Sequence, residues 1–212
     1  MKTKIHPTCR NRHYLLASGL WLLVSSCSLP PAQLDPTRFY LLSTPAASAP
    51  AEPAAKAPVI HLRPVELPSY VRAKPLIVRR GDNEVEFREY ARWGEPLELG
   101  IGRVVREELL ARGAAGAVLA GGLRAVDVDY SYELIIRVLA CEGVAGGAVH
   151  FRAVWELSAT GPAPKIAAQG EYRPADLKWD GKNEATLAAQ LSQATTGLAA
   201  EIAAALAKVA AK

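Results

Sequence analysis

The sequence predicts an α+β domain: a largely antiparallel sheet with two amphipathic helices packed on one face. Three observations predict it. Val128 to Ala140 alternates, with Val128, Tyr130, Tyr132, Leu134, Ile136 and Val138 on one face and Asp129, Ser131, Glu133 and Arg137 on the other. The pattern repeats at Val149, Phe151, Ala153, Trp155 and Leu157 after a turn over Gly143 to Gly147, and a third strand follows from Ile166 to Tyr172. Two other stretches carry apolar residues at helical spacing. A meander with one buried and one wet face, covered by helices on the buried side, is the arrangement these periods allow.

The chain opens with a segment of a different kind. Lys2, Lys4, Arg10 and Arg12 form a basic start with no acidic residue, and Tyr14 to Val24 is apolar. That run of about eleven residues fits the roughly 7 to 15 of a secretory signal. It falls short of the about 20 needed to cross a bilayer. Val24-Ser25-Ser26-Cys27 then has the form of a lipobox, a branched apolar residue and two small ones before a cysteine. Residues 1–26 are therefore expected to be a lipoprotein signal peptide, with the Cys27 thiol taking a diacylglyceryl group and its freed amine a further acyl chain such as palmitate. Two or three chains suffice for stable anchoring, at ~0.8 kcal/mol per buried CH2. Ser28 is not the Asp that tends to retain such proteins at the inner membrane, so the outer membrane, periplasmic face, is the expected location.

Residues 27–36 are Pro-rich and polar, and read as a lipidated tether. At ~3.3 to 3.6 Å per residue it holds the following domain, residues 37–212, within roughly 30 Å of the membrane. Phe39-Tyr40-Leu41-Leu42 is the first strand. Residues 45–58, built from Ala, Pro, Ser and single charges, cannot bury a core and form a flexible insertion. Val59 to Leu67 is a strand that Pro64 and Pro68 place at an edge or interrupt. Leu76-Ile77-Val78 and Glu84-Val85-Glu86-Phe87 flank Gly81-Asp82-Asn83 as a hairpin whose turn residues tolerate positive φ.

Pro96 at the first turn, Glu95 and Glu98 beside it, and Arg112-Gly113 at the end bound a helix from Pro96 to Arg112. Leu97, Ile101, Val104, Val105 and Leu109 are its buried stripe, while Gly100 and Gly102 read as sites of close packing. Gly116 to Gly122 is a short apolar connection. A last helix starts at Asn183, a good N-cap, and buries Leu187, Leu191, Leu198, Ile202, Leu206 and Val209.

Composition narrows the function. The chain has 25 Lys+Arg and 21 Asp+Glu, and four of the basic residues precede Cys27, so the remainder balances at 21 against 21. The electrostatic case for nucleic-acid binding disappears with the signal. Of three cysteines only Cys141 is left beyond Cys27, so no internal disulfide forms, and a lone thiol is expected to be a small buried hydrophobe. No cofactor or metal is expected: His61 and His150 are separate from each other and from Cys141 and read as ordinary strand histidines. No G-x-S-x-G elbow or G-x-x-x-x-G-K-[ST] loop occurs. Asp127, Asp129 and Glu133 could be imagined as a glycosidase pair, but suit the solvated face of a strand. The chain is not expected to be an enzyme.

The runs Pro64-Val65-Glu66-Leu67-Pro68-Ser69-Tyr70-Val71, Leu76-Ile77-Val78-Arg79-Arg80-Gly81-Asp82-Asn83-Glu84-Val85 and Arg92-Trp93-Gly94-Glu95-Pro96-Leu97 resemble the PqiC (YmbA-like) family of ABC-type transport auxiliary lipoproteins. The likeness covers essentially everything after the signal, most strongly Val59 to Leu109. It departs in the long Ala/Pro insertion and at Gly94, where a small residue such as Ala is expected. The resemblance implies a non-catalytic outer-membrane lipoprotein. Its partner would be a periplasm-spanning, PqiB-like MCE-domain protein of an intermembrane lipid transport system that supports membrane integrity. It directs attention to Arg92, Trp93 and Glu95 as a partner-binding segment, since a Trp beside charges is a common contact composition; the other reading is that Trp93 closes the core. A ring-shaped partner leaves a symmetric homo-oligomer open. A scaffolding lipoprotein of outer-membrane assembly is the alternative, and a periplasmic hydrolase of envelope polymers a third reading.

Overall fold

The computed structural model describes residues 33–44, 57–120, 131–161 and 163–211. The signal segment, the lipobox with Cys27, most of the Ala/Pro insertion, and Val128, Asp127, Asp129 and Tyr130 lie outside the described residues. By its contacts the chain divides into two compact units, and the second, Thr37–Lys212, carries the fold.

Its spine is β6 (Tyr132–Val144), the longest strand among the described residues. One edge of β6 pairs antiparallel with β7 (Val149–Ala159), which pairs antiparallel with β8 (Lys165–Tyr172). The other edge is shared end to end by two parallel strands, β2 (Val59–Leu62) against its start and β3 (Pro75–Arg79) against its end. Pro64 and Pro68 explain the division: proline cannot donate to a ladder, and between the strands Arg63 donates its N–H to the Leu134 carbonyl of β6, while Glu66 donates to the Ile136 carbonyl and accepts from Val138 N–H. A 3₁₀ turn, Ser69–Arg72, fills the gap. Outside β2 lies β5 (Ala117–Ala120), parallel to it; outside β3 lie β4 (Val85–Trp93), antiparallel, and β1 (Arg38–Tyr40), parallel to β4.

The sheet is thus mixed. The meander of β6, β7 and β8 and the hairpin of β3 and β4 are antiparallel as the sequence indicates, whereas the strands preceding β6 join it in parallel. The segment read as an apolar connection contains β5. The β3–β4 turn is closed by Arg80 N–H donating to the Glu84 carbonyl, and none of its residues takes a positive φ. That conformation falls instead at Gly146 and Gly147 in the β6–β7 turn, where a Cβ on Gly147 would stand 2.7 Å from the Trp179 carbonyl oxygen.

Helix α1 (Leu97–Ala111) has Pro96 as its N-cap and ends at Gly113 in the left-handed region, φ 64°. The five predicted stripe residues are all buried. Helix α2 (Glu184–Ala210) is capped by Asn183, whose side chain accepts from Ala185 N–H at 3.0 Å. Both helices contribute to one core with Leu76, Val78, Leu134, Ile136, Val138, Phe151 and Trp155 from the sheet. Cys141 is buried and free. At Gly102, read from the sequence as a close-packing site, an added Cβ would meet Val65 and Leu62 only at 3.8 and 3.9 Å, ordinary contact distances, so the helix does not need glycine there.

Candidate functional site

The segment that the sequence marks, Arg92 to Pro96, is the corner where β1, β4 and the start of α1 meet. In the β1–β4 register Phe39 opposes Arg92 and Tyr40 opposes Trp93. The corner is fastened by Gly94 N–H donating to the Tyr40 carbonyl at 2.8 Å and Trp93 N–H donating to the Lys74 carbonyl at 2.7 Å. Trp93 is 6% exposed and belongs to the core. Its indole therefore closes the interior beneath the helix start, and what the corner offers to solvent is Arg92, Glu95 and their neighbours.

Glu95 folds back over α1. Its Oε1 accepts from Arg103 Nη2 at 2.7 Å, and the same nitrogen donates to the Leu42 carbonyl at 2.7 Å, so one guanidinium ties the chain after β1 to the helix. Glu107 lies 3.6 Å from Arg103 Nη1 and accepts from the Thr44 hydroxyl. The bond from Glu95 is the main cause of an Arg103 pKa above the ordinary arginine value. Gly100 makes the fold-back possible, because a Cβ there would stand 3.0 Å from Glu95 Oε1. Gly94 is packed by Leu41, 3.2 Å from the place of an added Cβ. Arg92 donates from Nε to the Glu89 carbonyl.

A second cluster was hidden from sequence reasoning. Glu142, 0% exposed, accepts from Arg79 Nε at 2.6 Å and lies 3.2 Å from His150 Nδ1. A bulge between Val138 and Ala140 shifts the alternation of β6, turning Cys141 to the core and Glu142 to the opposite face. Burial, then Glu142, pushes the Tyr70 hydroxyl up to about 12, and the same two causes push the Cys141 thiol up to about 12. Glu133, once imagined with Asp127 and Asp129 as an acid pair, is engaged by Arg63 at 3.1 Å and lies 3.5 Å from His61 Nδ1.

These clusters hold charges in fixed positions and bring no nucleophile to a base. Among the described residues no group of three metal-ligating side chains converges, and no helix is long and apolar enough to cross a membrane. Between α1 and β2 a groove of about 250 Å³ is lined by Leu62, Val65, Leu99, Gly102 and Arg106. It is smaller than the ~300 to 1,000 Å³ of ordinary ligand pockets.

The fold has counterparts. The sequence profile of the family described as ABC-type transport auxiliary lipoprotein component matches residues 40–203, and the chain belongs to that family. A crystal structure of a Xanthomonas campestris protein of the DUF330 family shares the fold with TM-score 0.64 and 19% identity, covering 79% of this chain and 93% of that one. A second crystal structure, of an uncharacterized protein, superposes with TM-score 0.59 and 16% identity over 79% of this chain and 96% of that one. No curated protein matches the chain in sequence.

Proposed function

We propose that this auxiliary component is a non-catalytic lipoprotein, anchored through Cys27 in the outer membrane and facing the periplasm. It serves an MCE/ABC-type intermembrane lipid transport system by docking to its periplasm-spanning MCE-domain protein. The observation that carries the reading is the family match across residues 40–203, nearly the whole compact unit. The Arg92–Glu95 corner is held rigid from three sides. Rigid charged side chains over a buried aromatic suit a contact surface, since little side-chain entropy is lost on binding. Trp93 positions Arg92 and Glu95 from below, and Glu95, Arg103, Glu107 and the exposed Leu99 form the surface on the α1 side.

The test is affinity capture of the tagged full chain from gently solubilised envelopes, comparing wild type with the surface variants Arg92→Glu and Glu95→Lys. An MCE-domain protein captured by wild type and lost in the folded variants supports transport and contact together. Capture of outer-membrane assembly factors in its place would make the chain a scaffolding lipoprotein.

A further inference from the structure

The groove between α1 and the β2–β5 pair has a floor of missing side chains. Leu62 of β2 opposes Ala120, the last residue of β5, so the layer that Ile60 and Val118 fill with buried side chains ends here on a single methyl group. Facing it, Glu98, Gly102 and Arg106 stand on successive turns of α1 at the i, i+4, i+8 spacing that stacks side chains on one face. The atoms nearest the place of a Cβ on Gly102 belong to Val65 and Leu62, which line the groove, so a side chain at 102 would stand inside it. Leu99, 61% exposed, forms one wall. Arg63 and Arg103 also reach the groove, and they already hold Glu133 and Glu95. Among the described residues Arg106 at one end and Glu98 at the other are in no ion pair.

We propose that this groove receives an extended segment of a protein partner, which seats an apolar side chain over Gly102 between a carboxylate on Arg106 and a cation on Glu98. Charge complementarity and spacing select that occupant. From 98 to 106 the helix rises about 12 Å at 1.5 Å per residue, and an extended chain covers that distance in about four residues at ~3.3 Å each. Residues i, i+2 and i+4 of such a chain point to one side. The matching segment therefore carries an acidic, an apolar and a basic residue at alternate positions. A cleft of about 250 Å³ holds one apolar anchor, and an anchor in a small pocket inside a charged rim is how protein interfaces concentrate their affinity. The inference rests on the reading that the chain docks to a protein partner, and assigns that partner's contact on the α1 side.

The test reconstitutes the full lipoprotein in phosphatidylethanolamine and phosphatidylglycerol vesicles and adds a purified MCE-domain protein. The photo-reactive residue benzoylphenylalanine replaces Leu99 or, as a control on β8, the exposed Ile166, and binding is measured in parallel on the unlabelled chain. The expected result is cross-linking from 99 several-fold above that from 166, to a segment with the acidic, apolar and basic residues in that order or its reverse. Gly102→Leu, which fills the floor, and Arg106→Glu, which reverses one end charge, are each expected to weaken binding roughly tenfold at unchanged Tm. Exchanging the acidic residue of the cross-linked segment for lysine should restore binding to Arg106→Glu. Binding undiminished in both variants overturns the proposal, as does a cross-linked segment without the three residues. So does an adduct of lipid mass at 99, which would make the groove an amphiphile site. Binding without cross-linking at 99 ends the groove inference alone, whereas no binding of the MCE-domain protein at all ends the docking reading with it.

Discussion

Gly197 of α2 and Tyr172 of β8 approach so closely that a Cβ at position 197 would overlap the Tyr172 hydroxyl and stand 2.9 Å from its ring carbon Cζ. The helix is laid on the sheet edge through this contact. Burial, with Glu201 nearby, holds the Tyr172 pKa above the ordinary tyrosine value.

Gly197→Ala is therefore expected to destabilise the domain although alanine is the better helix former. Overpacking costs typically ~1 to 3 kcal/mol, against about 1 kcal/mol gained in helix propensity. Urea denaturation should show a lower midpoint with an unchanged slope. Adding Tyr172→Phe should recover part of the loss, because it removes the overlapping hydroxyl.

Trp93 and Arg92 are neighbours with opposite fates. Trp93→Ala empties a core position and is expected to cost ~3 to 5 kcal/mol, seen as a large fall in Tm. Arg92→Ala, half-buried on the other face, is expected to stay within about 1 kcal/mol of wild type. A Trp93→Ala chain as stable as wild type would show that the indole does not support the helix start.

What the sequence disclosed depended on how local the signal was. Helix α1 was legible because its stripe lies within it and Pro96 and Gly113 flank it closely, and α2 because Asn183 immediately precedes its leucine-bearing run. The strands β6, β7 and β8 were legible because alternation is local and hairpin neighbours are close in sequence. The parallel seating of β2 and β3 along one edge of β6 was not, since that pairing joins residues 72 positions apart for β2 and 65 for β3. Strand β5, only Ala117–Ala120 between glycines, has too few residues to show a period. At the candidate corner, composition singled out a segment but could not say which way Trp93 faces. That depends on the register of β4 against β1.

Glu142 shows the same limit in a charged residue. By strict alternation with Val138, Glu142 would fall on the core face and Cys141 on the wet one; the bulge in β6 exchanges them, and Glu142 is buried on the opposite face beside Arg79 and His150. Because it accepts from Arg79 in a buried setting, Glu142→Ala leaves the guanidinium without its partner and is expected to cost ~1.5 to 3 kcal/mol. Glu142→Gln keeps an acceptor and should cost less. Denaturation midpoints of the two variants, with Arg79→Ala beside them, would reveal the pair as a coupling energy in a double-mutant cycle.

Alkaline pH tests the burial of Cys141 and Tyr70 together. Both pKa values are raised to about 12 in the folded chain, from ordinary values of 9.0 for the thiol and 10.0 for the phenol. Above pH 9 the unfolded chain therefore begins to release protons that the folded chain keeps. With fewer protons bound in the unfolded state, stability must fall as pH rises, by up to about 1.4 kcal/mol per pH unit for Cys141 and by less for Tyr70, which is only half-buried and screened by solvent. Below the unfolded values neither group contributes a slope. Stability measured from pH 8 to 11 should be flat at first, decline above 9 as the unfolded Cys141 ionises, and steepen above 10 as Tyr70 joins. Cys141→Ala should remove the first part of the decline and Tyr70→Phe the second. A wild-type profile that stays level to pH 11 would mean that neither group is held from solvent.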